Sequence, residues 1–325
     1  MPSTHEYTPD PRNESINVWL NGTLTPRAEA MVSVLDSGFM LGDGVWEGIR
    51  VHNGQLAFID QHMQRLFEGA AAIDMDIGMT ASELTDAIYS TLAANGQTNP
   101  DNNDAVHIRL MVTRGLRSTP YQSPSVVISD STVVILPEFK EPKPDVLTRG
   151  LKLYTVSTRR GRPDVQDPKW NSHSKLNCIS ACIQADKAGA DEALMLDPNG
   201  FVATCNSTHF FIVTDAHGFE GPQELWTSTG DYCMPGITRS NIIRLCEEKG
   251  IPVRQKNFSL TDVYAAAEAF VTGTFAGVTP VAAVDGRTMG GVRAAMRGLE
   301  PTGERGPITE QLQKWYLELI ERTTR

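Results

Sequence analysis

Two lysines, Lys169 and Lys175, bracket the stretch KWNSHSK at residues 169–175, and the chain then runs into LNCISACIQADKAGADEALML, which reads as a helix followed by a strand. A lysine attacks a carbonyl carbon only as a free amine, and desolvation or neighbouring cations make it one. A loop-to-helix junction in a cleft provides that setting, although most lysines are simply solvated. MPGITRSNII at 234–243 brings Pro-Gly and a short polar start to a helix. Free backbone N–H groups and the positive helix end converge there, which suits a phosphate. FVTGTFAGVTPV at 270–281 offers hydroxyls and a close-approach glycine at a turn. Arg65 stands in a helix whose other face is apolar. Each of these has an ordinary explanation as well: a plain helix start, a β-turn, a solvated arginine.

The elements that must position these residues are strands and helices in alternation. NVWLNG (17–22) and GVWEGIRVHNGQLAF (44–58) each carry an Asn-Gly hairpin signal. Helical periodicity follows at 59–75 and at 81–96, the second opening on a Ser-x-x-Thr cap and closing on Gly. In AVHIRLMVTRG (105–115), Ile108, Leu110 and Val112 share one face while His107, Arg109 and Met111 share the other. The two prolines and mixed charge of KEPKPDVLTRG (140–150) mark a linker. The expected organisation is a polar, disordered tail over 1–16, a small α/β domain over 17–139, the linker, and a larger α/β domain over 151–325. Its helices fall at about 175–188 and at 236–250, with a docked terminal helix carrying Leu312, Trp315, Tyr316, Leu319 and Ile320 on one stripe.

Composition narrows the function. A formal charge of −10 and scattered basic residues argue against nucleic acid or an anionic membrane as partner. Five cysteines without a C-x-x-C pair indicate neither a disulfide framework nor a zinc site, so no metal is expected and a reduced, cytoplasmic compartment fits. No run approaches membrane-spanning length.

Taken in order, VLDSGFMLGDGVWEGIRVHNGQLAFIDQHMQRL, HIRLMVTRG, GADEALMLDPNGFVATCNSTHFFIV, MPGITRSNIIRL, FVTGTFAGVTPV and GPITEQLQKWY resemble the class IV pyridoxal-phosphate aminotransferases. That family includes branched-chain and D-amino acid aminotransferases, (R)-selective amine transaminases and aminodeoxychorismate lyase. The resemblance implies a two-domain mixed α/β fold of the D-amino acid aminotransferase type with pyridoxal 5'-phosphate between the domains. It also implies a homodimer, an amine donor and a 2-oxo acid acceptor. Arg65 matches the arginine that grips the cofactor phosphate; Gly236, Ile237 and Thr238 match the helix start that meets the same phosphate, and Thr274 the hydroxyl that completes the cup.

Two positions depart from the family. Aligned from Asp167-Pro168 through LNCISA and GADE, the usual lysine position falls on Asn171. Lys175, four residues on, shares a helix face with it if the helix begins early, and is preferred over Lys169 as the Schiff-base lysine. The family glutamate that holds the pyridine nitrogen is replaced by Thr204, which would make the ring a weaker electron sink. For the substrate, Trp46, Arg109, Arg117 and Tyr121 are candidates, Arg117 standing in for the carboxylate-binding arginine that the D-amino acid branch places in this loop. Transamination is the primary expectation. An aminodeoxychorismate-type lyase, a racemase-like activity and a cofactor-binding protein with weak or lost turnover are the alternatives.

Overall fold

A computed structural model describes residues 7–99, 105–215 and 223–324; the expectation for 1–6 lies outside them. The chain forms two compact units, and neither is one continuous segment. The first takes in 8–141, 170–175 and 320–324, the second Tyr7, 142–169 and 176–319. The change of unit at 141/142 falls within the expected linker, but the lysine loop returns to the first unit, which a reading by contiguous domains does not anticipate.

The first unit is built on a six-stranded sheet with order β2-β1-β6-β5-β3-β4. Its strands are β1 (Asn17–Leu20), β2 (Thr23–Pro26), β3 (Gly44–His52), β4 (Gln55–Leu56), β5 (Val106–Thr113) and β6 (Thr132–Phe139). With them go the helices α1 (Ser37–Leu41), α2 (Ile59–Ala72) and α3 (Ala81–Ala94). Both Asn-Gly pairs turn with positive φ, as such hairpins require. Alternation along β5 buries Val106, Ile108, Leu110 and Val112 against Leu66, Leu84, Ile88 and Leu92 of the helices. His107, Arg109 and Met111 point the other way. The start of α3 differs from expectation: Thr80 caps it, accepting from Glu83 N while Glu83 reaches back to Thr80 N. A true capping box satisfies two otherwise orphaned donors, so it prevails over the Ser82/Thr85 pair inside the helix. The expected disordered tail is also corrected from residue 8 onward. Pro11–Glu14 forms a 3-10 turn, and Asn13 is buried with its amide bonded both ways to Phe139.

The second unit centres on a nine-stranded mixed sheet. In chain order its elements are α4 (Val146–Arg149), β7 (Leu151–Thr155), α5 (Pro163–Gln166), α6 (Leu176–Lys187), β8 (Glu192–Leu196), β9 (Val202–Cys205), β10 (His209–Asp215) and β11 (Gln223–Thr227). There follow α7 (Ile237–Glu248), β12 (Val253–Gln255), α8 (Leu260–Ala265), β13 (Glu268–Gly273), β14 (Gly277–Val284), β15 (Arg287–Thr288), α9 (Gly291–Met296) and α10 (Pro307–Thr323). The main path runs β12-β11-β10-β13-β14-β7-β8-β9, with β15 on β14. Five-residue β8 is buried at every position, as a strand covered on both faces must be. Leu312, Tyr316 and Leu319 dock α10, as its apolar stripe indicated.

Candidate active site

In the first unit the site grows from the free edge of β3. Residues 171–173 pair with that edge: Trp46 N donates to Asn171 O at 2.9 Å and His173 N to Gly44 O at 3.0 Å. Trp46 Nε1 donates to Ser172 O at 3.1 Å. The loop therefore arrives as an added strand end, and Lys175 lies just before α6 rather than inside it. The expected helical relation between Asn171 and Lys175 is not what places the lysine; edge pairing is. Lys175 Nζ lies 5.6 Å from the Trp46 ring centroid, and the Arg109 guanidinium stacks on the same ring at 3.7 Å. Burial pushes Arg109 below its ordinary range, against the pull of Glu138 and Glu47. Lys169, by contrast, is exposed.

On the opposite face of β3 stands a group that sequence reasoning missed. Glu47 is fully buried. It accepts from Arg65 Nε at 2.7 Å, from Arg65 Nη2 at 2.6 Å and from His62 Nδ1 at 2.7 Å. Asn171 Nδ2 stands 3.5 Å from the same carboxylate. The two-pronged edge of Arg65 that was expected to receive a phosphate thus receives a carboxylate. Burial pushes Glu47 up, but the Arg65 charge and bonds, with the His62 bond, outweigh it and hold the acid below its usual range. His62 is driven down by burial, against Glu47. The signal was present: Glu47 interrupts Val45, Ile49 and Val51 on the core-facing side of a strand, where an acid is costly unless paired.

Arg117 and Tyr121 are placed differently from the other candidates. Arg117 is 1% exposed. Its Nε donates to Ser37 Oγ, its Nη1 to the carbonyls of Tyr121 and Ser123, and its Nη2 to Asp43 at 2.6 Å. It staples the 113–124 loop. Tyr121 contributes that carbonyl while its side chain is exposed.

The second unit holds the remaining candidates. Gly236 is the N-cap of α7, and no side chain caps the helix. A Cβ on Gly236 would run into the ring of His209, whose Nε2 lies 2.8 Å from Met234 O, so only glycine lets the helix start lie this close. Ile237 is buried, and Thr238 Oγ1 lies 3.2 Å from Tyr316 OH. The Tyr316 ring abuts Gly277, three residues past Thr274 in the β13–β14 turn, so one side chain of α10 touches both segments. Thr272 Oγ1, two residues before Thr274, is buried without a hydrogen-bond partner. Thr204 is buried and donates its single hydroxyl proton to Thr208 O at 2.8 Å. Thr208 in turn donates to Glu192, a buried acid that also accepts from Ser207.

A family model described as amino-transferase class IV matches residues 44–284, and that span contains the lysine loop, Arg65, the α7 start and the β13–β14 turn. The chain belongs to the class IV aminotransferase family. The branched-chain-amino-acid aminotransferase-like protein 2 of Arabidopsis thaliana is 34% identical over 96% of the chain. The chain spans about half of that relative's length, 52%. A putative branched-chain-amino-acid aminotransferase of Methanocaldococcus jannaschii is 34% identical over 94% of the chain and 96% of its own length. Among solved structures, the branched-chain aminotransferase of Thermoproteus uzoniensis with norvaline superposes with a TM-score of 0.79. It is 32% identical, with 95% of this chain and 96% of that one covered.

The chemistry of the donor set fits the family's phosphorylated pyridoxal cofactor. An uncapped helix start of a 12-residue helix leaves backbone donors for an anion. The buried Thr272 hydroxyl has no partner of its own. Among the described residues no group of acids, histidines and cysteines could hold a metal, and no helix is long and apolar enough to cross a membrane.

Proposed function

We propose that this chain is a pyridoxal-phosphate-dependent aminotransferase moving an amino group between an amino acid or primary amine and a 2-oxo acid, with Lys175 as its lysine. The observation that carries the choice of lysine is the position of Lys175 Nζ at the Trp46 ring beside Arg109, on a loop tied to β3, while Lys169 is exposed. Gly236, Ile237, Thr238 and Thr274 are the residues read as holding the phosphate. Arg65 is read as a phosphate residue on the family resemblance alone; within its own unit its Nε and Nη2 are already on Glu47, which makes it a neutralised, fixed arm rather than a two-pronged clamp. When bound, the cofactor supplies an electrophilic carbon for amines and a ring that withdraws electrons from the substrate carbon.

Lys175 gives up a proton to become a nucleophile and later carries one between carbon centres at Nζ. Trp46 and Arg109 are the substrate residues of this reading: a flat apolar wall and a cation for a carboxylate. Arg117 and Tyr121 shape the loop. Thr204 carries no charge, and its one proton is engaged by Thr208 O, so it accepts but does not donate. That observation supports slow turnover, and it keeps a cofactor-binding protein with weak transamination as the second reading. A homodimer belongs to the same proposal, supported by Met31, Val34 and Phe39, each more than 70% exposed in one segment of the first unit. A cytoplasmic location rests on the unpaired cysteines.

Borohydride reduction of the protein with pyridoxal phosphate, followed by peptide mapping, tests the assignment. Lys175 should carry the label, and Lys175→Ala should lose both the label and any half-reaction. A label on Lys169 instead would overturn the choice of lysine.

A further inference from the structure

The start of α7 has no side-chain cap of its own. Gly236 is its N-cap, and the residue before it is Pro235, whose nitrogen has no hydrogen to give. What fixes this turn comes from another strand. His209, the first residue of β10, places Nε2 2.8 Å from the carbonyl of Met234, just before that proline. A carbonyl only accepts, so Nε2 carries the proton and donates. The same ring lies against Gly236, where a Cβ would come within 2.6 Å of Nδ1 and closer still to Cε1. One side chain thus bonds the turn two residues before the N-cap and abuts the N-cap itself.

His209 is firmly seated. It is 8% exposed and pairs with Thr272 in the β10–β13 register, so the two side chains stand next to each other on one face of the sheet. Thr208, immediately before it, accepts on its carbonyl from the Thr204 hydroxyl and from Cys205 N, and donates its own hydroxyl to the buried Glu192. Thr272 has no exposed surface, and its hydroxyl has no hydrogen-bond partner in the protein. Native proteins rarely leave such a group empty without cause, so a polar ligand belongs on this face. His209 therefore joins the two segments read as the phosphate cup: it touches the α7 start and pairs with the end of β13 that leads to Thr274.

We infer that His209 is a positioning residue for the phosphate group. Its Nε2–H holds the Met234–Gly236 turn, and its ring sets the angle at which the first N–H groups of α7 are presented. Backbone donors bind an anion well when they already converge on one point, because a turn that the ligand must order first costs affinity. His209 acts through the turn and needs no contact with the phosphate. The inference rests on the reading of the α7 start as the phosphate site.

Pyridoxamine 5'-phosphate and pyridoxamine isolate the effect, since they differ only in the phosphate and neither condenses with a lysine. Their affinities for the full chain, cleared of cofactor, are measured by calorimetry, and the ratio between them is the readout. His209→Phe keeps a ring against Gly236 but cannot donate. In it the phosphate ester should bind about tenfold more weakly, the size of one good hydrogen bond, while pyridoxamine stays within about twofold of wild type. In His209→Gln, whose amide can donate to the Met234 carbonyl, most of the ratio should return. A residue that only supports the fold would weaken both ligands together. An unchanged ratio in His209→Phe, through equal losses or none, overturns the inference. Should the phenylalanine variant fail to fold, NMR of the ring nitrogens in the wild type decides: His209 should be the Nε2–H tautomer, and a proton on Nδ1 alone overturns the inference. A wild type that binds both ligands alike would instead overturn the phosphate reading of the α7 start, and the role of His209 would fall with it.

Discussion

At the residue scale the decisive group is Glu47. A carboxylate with no exposed surface is tolerable only because Arg65 and His62 surround it, and removing one partner of such a pair leaves the other uncompensated. Glu47→Ala should therefore destabilise the first unit by about 3–5 kcal/mol in chemical denaturation. It should also loosen Arg65, and on the proposal that Arg65 holds the cofactor phosphate, cofactor should then dissociate faster. The network sets the sign of the pH response. Glu47 is held below its ordinary 4.5, so its contribution is present above that value and lost as pH falls. His62 is held below its ordinary 6.5, so the unfolded chain takes up the proton first, and stability is lost as pH drops below about 6.5. Both act in one direction. Denaturation midpoints should fall as pH drops below about 6.5 and fall further below 4.5, and His62→Gln should flatten the first of these two steps.

At the scale of elements, the start of α7 depends on a missing side chain. Gly236→Ala places a methyl group against the His209 ring, so either the ring or the helix start must move. A cost of about 1–3 kcal/mol is expected from such overpacking. If the backbone donors at this start hold the phosphate, as proposed, inorganic phosphate should raise the melting temperature of the wild type and raise it less in Gly236→Ala. Gly291→Ala is the control. Nothing lies near that Cβ and Gly291 is not among the positive-φ glycines, so it should melt at or slightly above the wild-type temperature. Equal losses in both variants would mean that the α7 start has no special role.

At the scale of the molecule, the chain leaves its first unit at residue 141, returns for 170–175 and returns again at its end. The returning loop supplies the strand edge that covers Trp46 N. A fragment ending at residue 141 should consequently exchange the Trp46 amide hydrogen at least tenfold faster than the full chain, an opening difference of about 1.4 kcal/mol. Adding a synthetic 170–175 peptide at millimolar concentration should slow that exchange. If the fragment protects Trp46 as well as the full chain does, the loop is a passenger on β3 rather than part of its sheet.

Much of this protein was legible before any coordinates. Asn-Gly turns require positive φ, apolar residues two apart mark one face of a strand, and residues three and four apart mark one stripe of a helix. Those rules are local, so the hairpins, α2, α6, α7 and α10 follow from them. So do the loop carrying two lysines and the glycine at the α7 start, because short-range geometry dictates residue type there. What only the tertiary structure decided is where long side chains end. Arg65 and Arg117 read alike as free guanidinium groups, yet Glu47, 18 residues away, takes one and Asp43, 74 residues away, takes the other. Lys175 reaches Trp46 because residues 171–173 pair with a strand more than a hundred positions earlier. An arginine's charge is written in the chain, but its partner is chosen by burial, which forces every buried donor and acceptor to find its opposite wherever the fold brings one within reach.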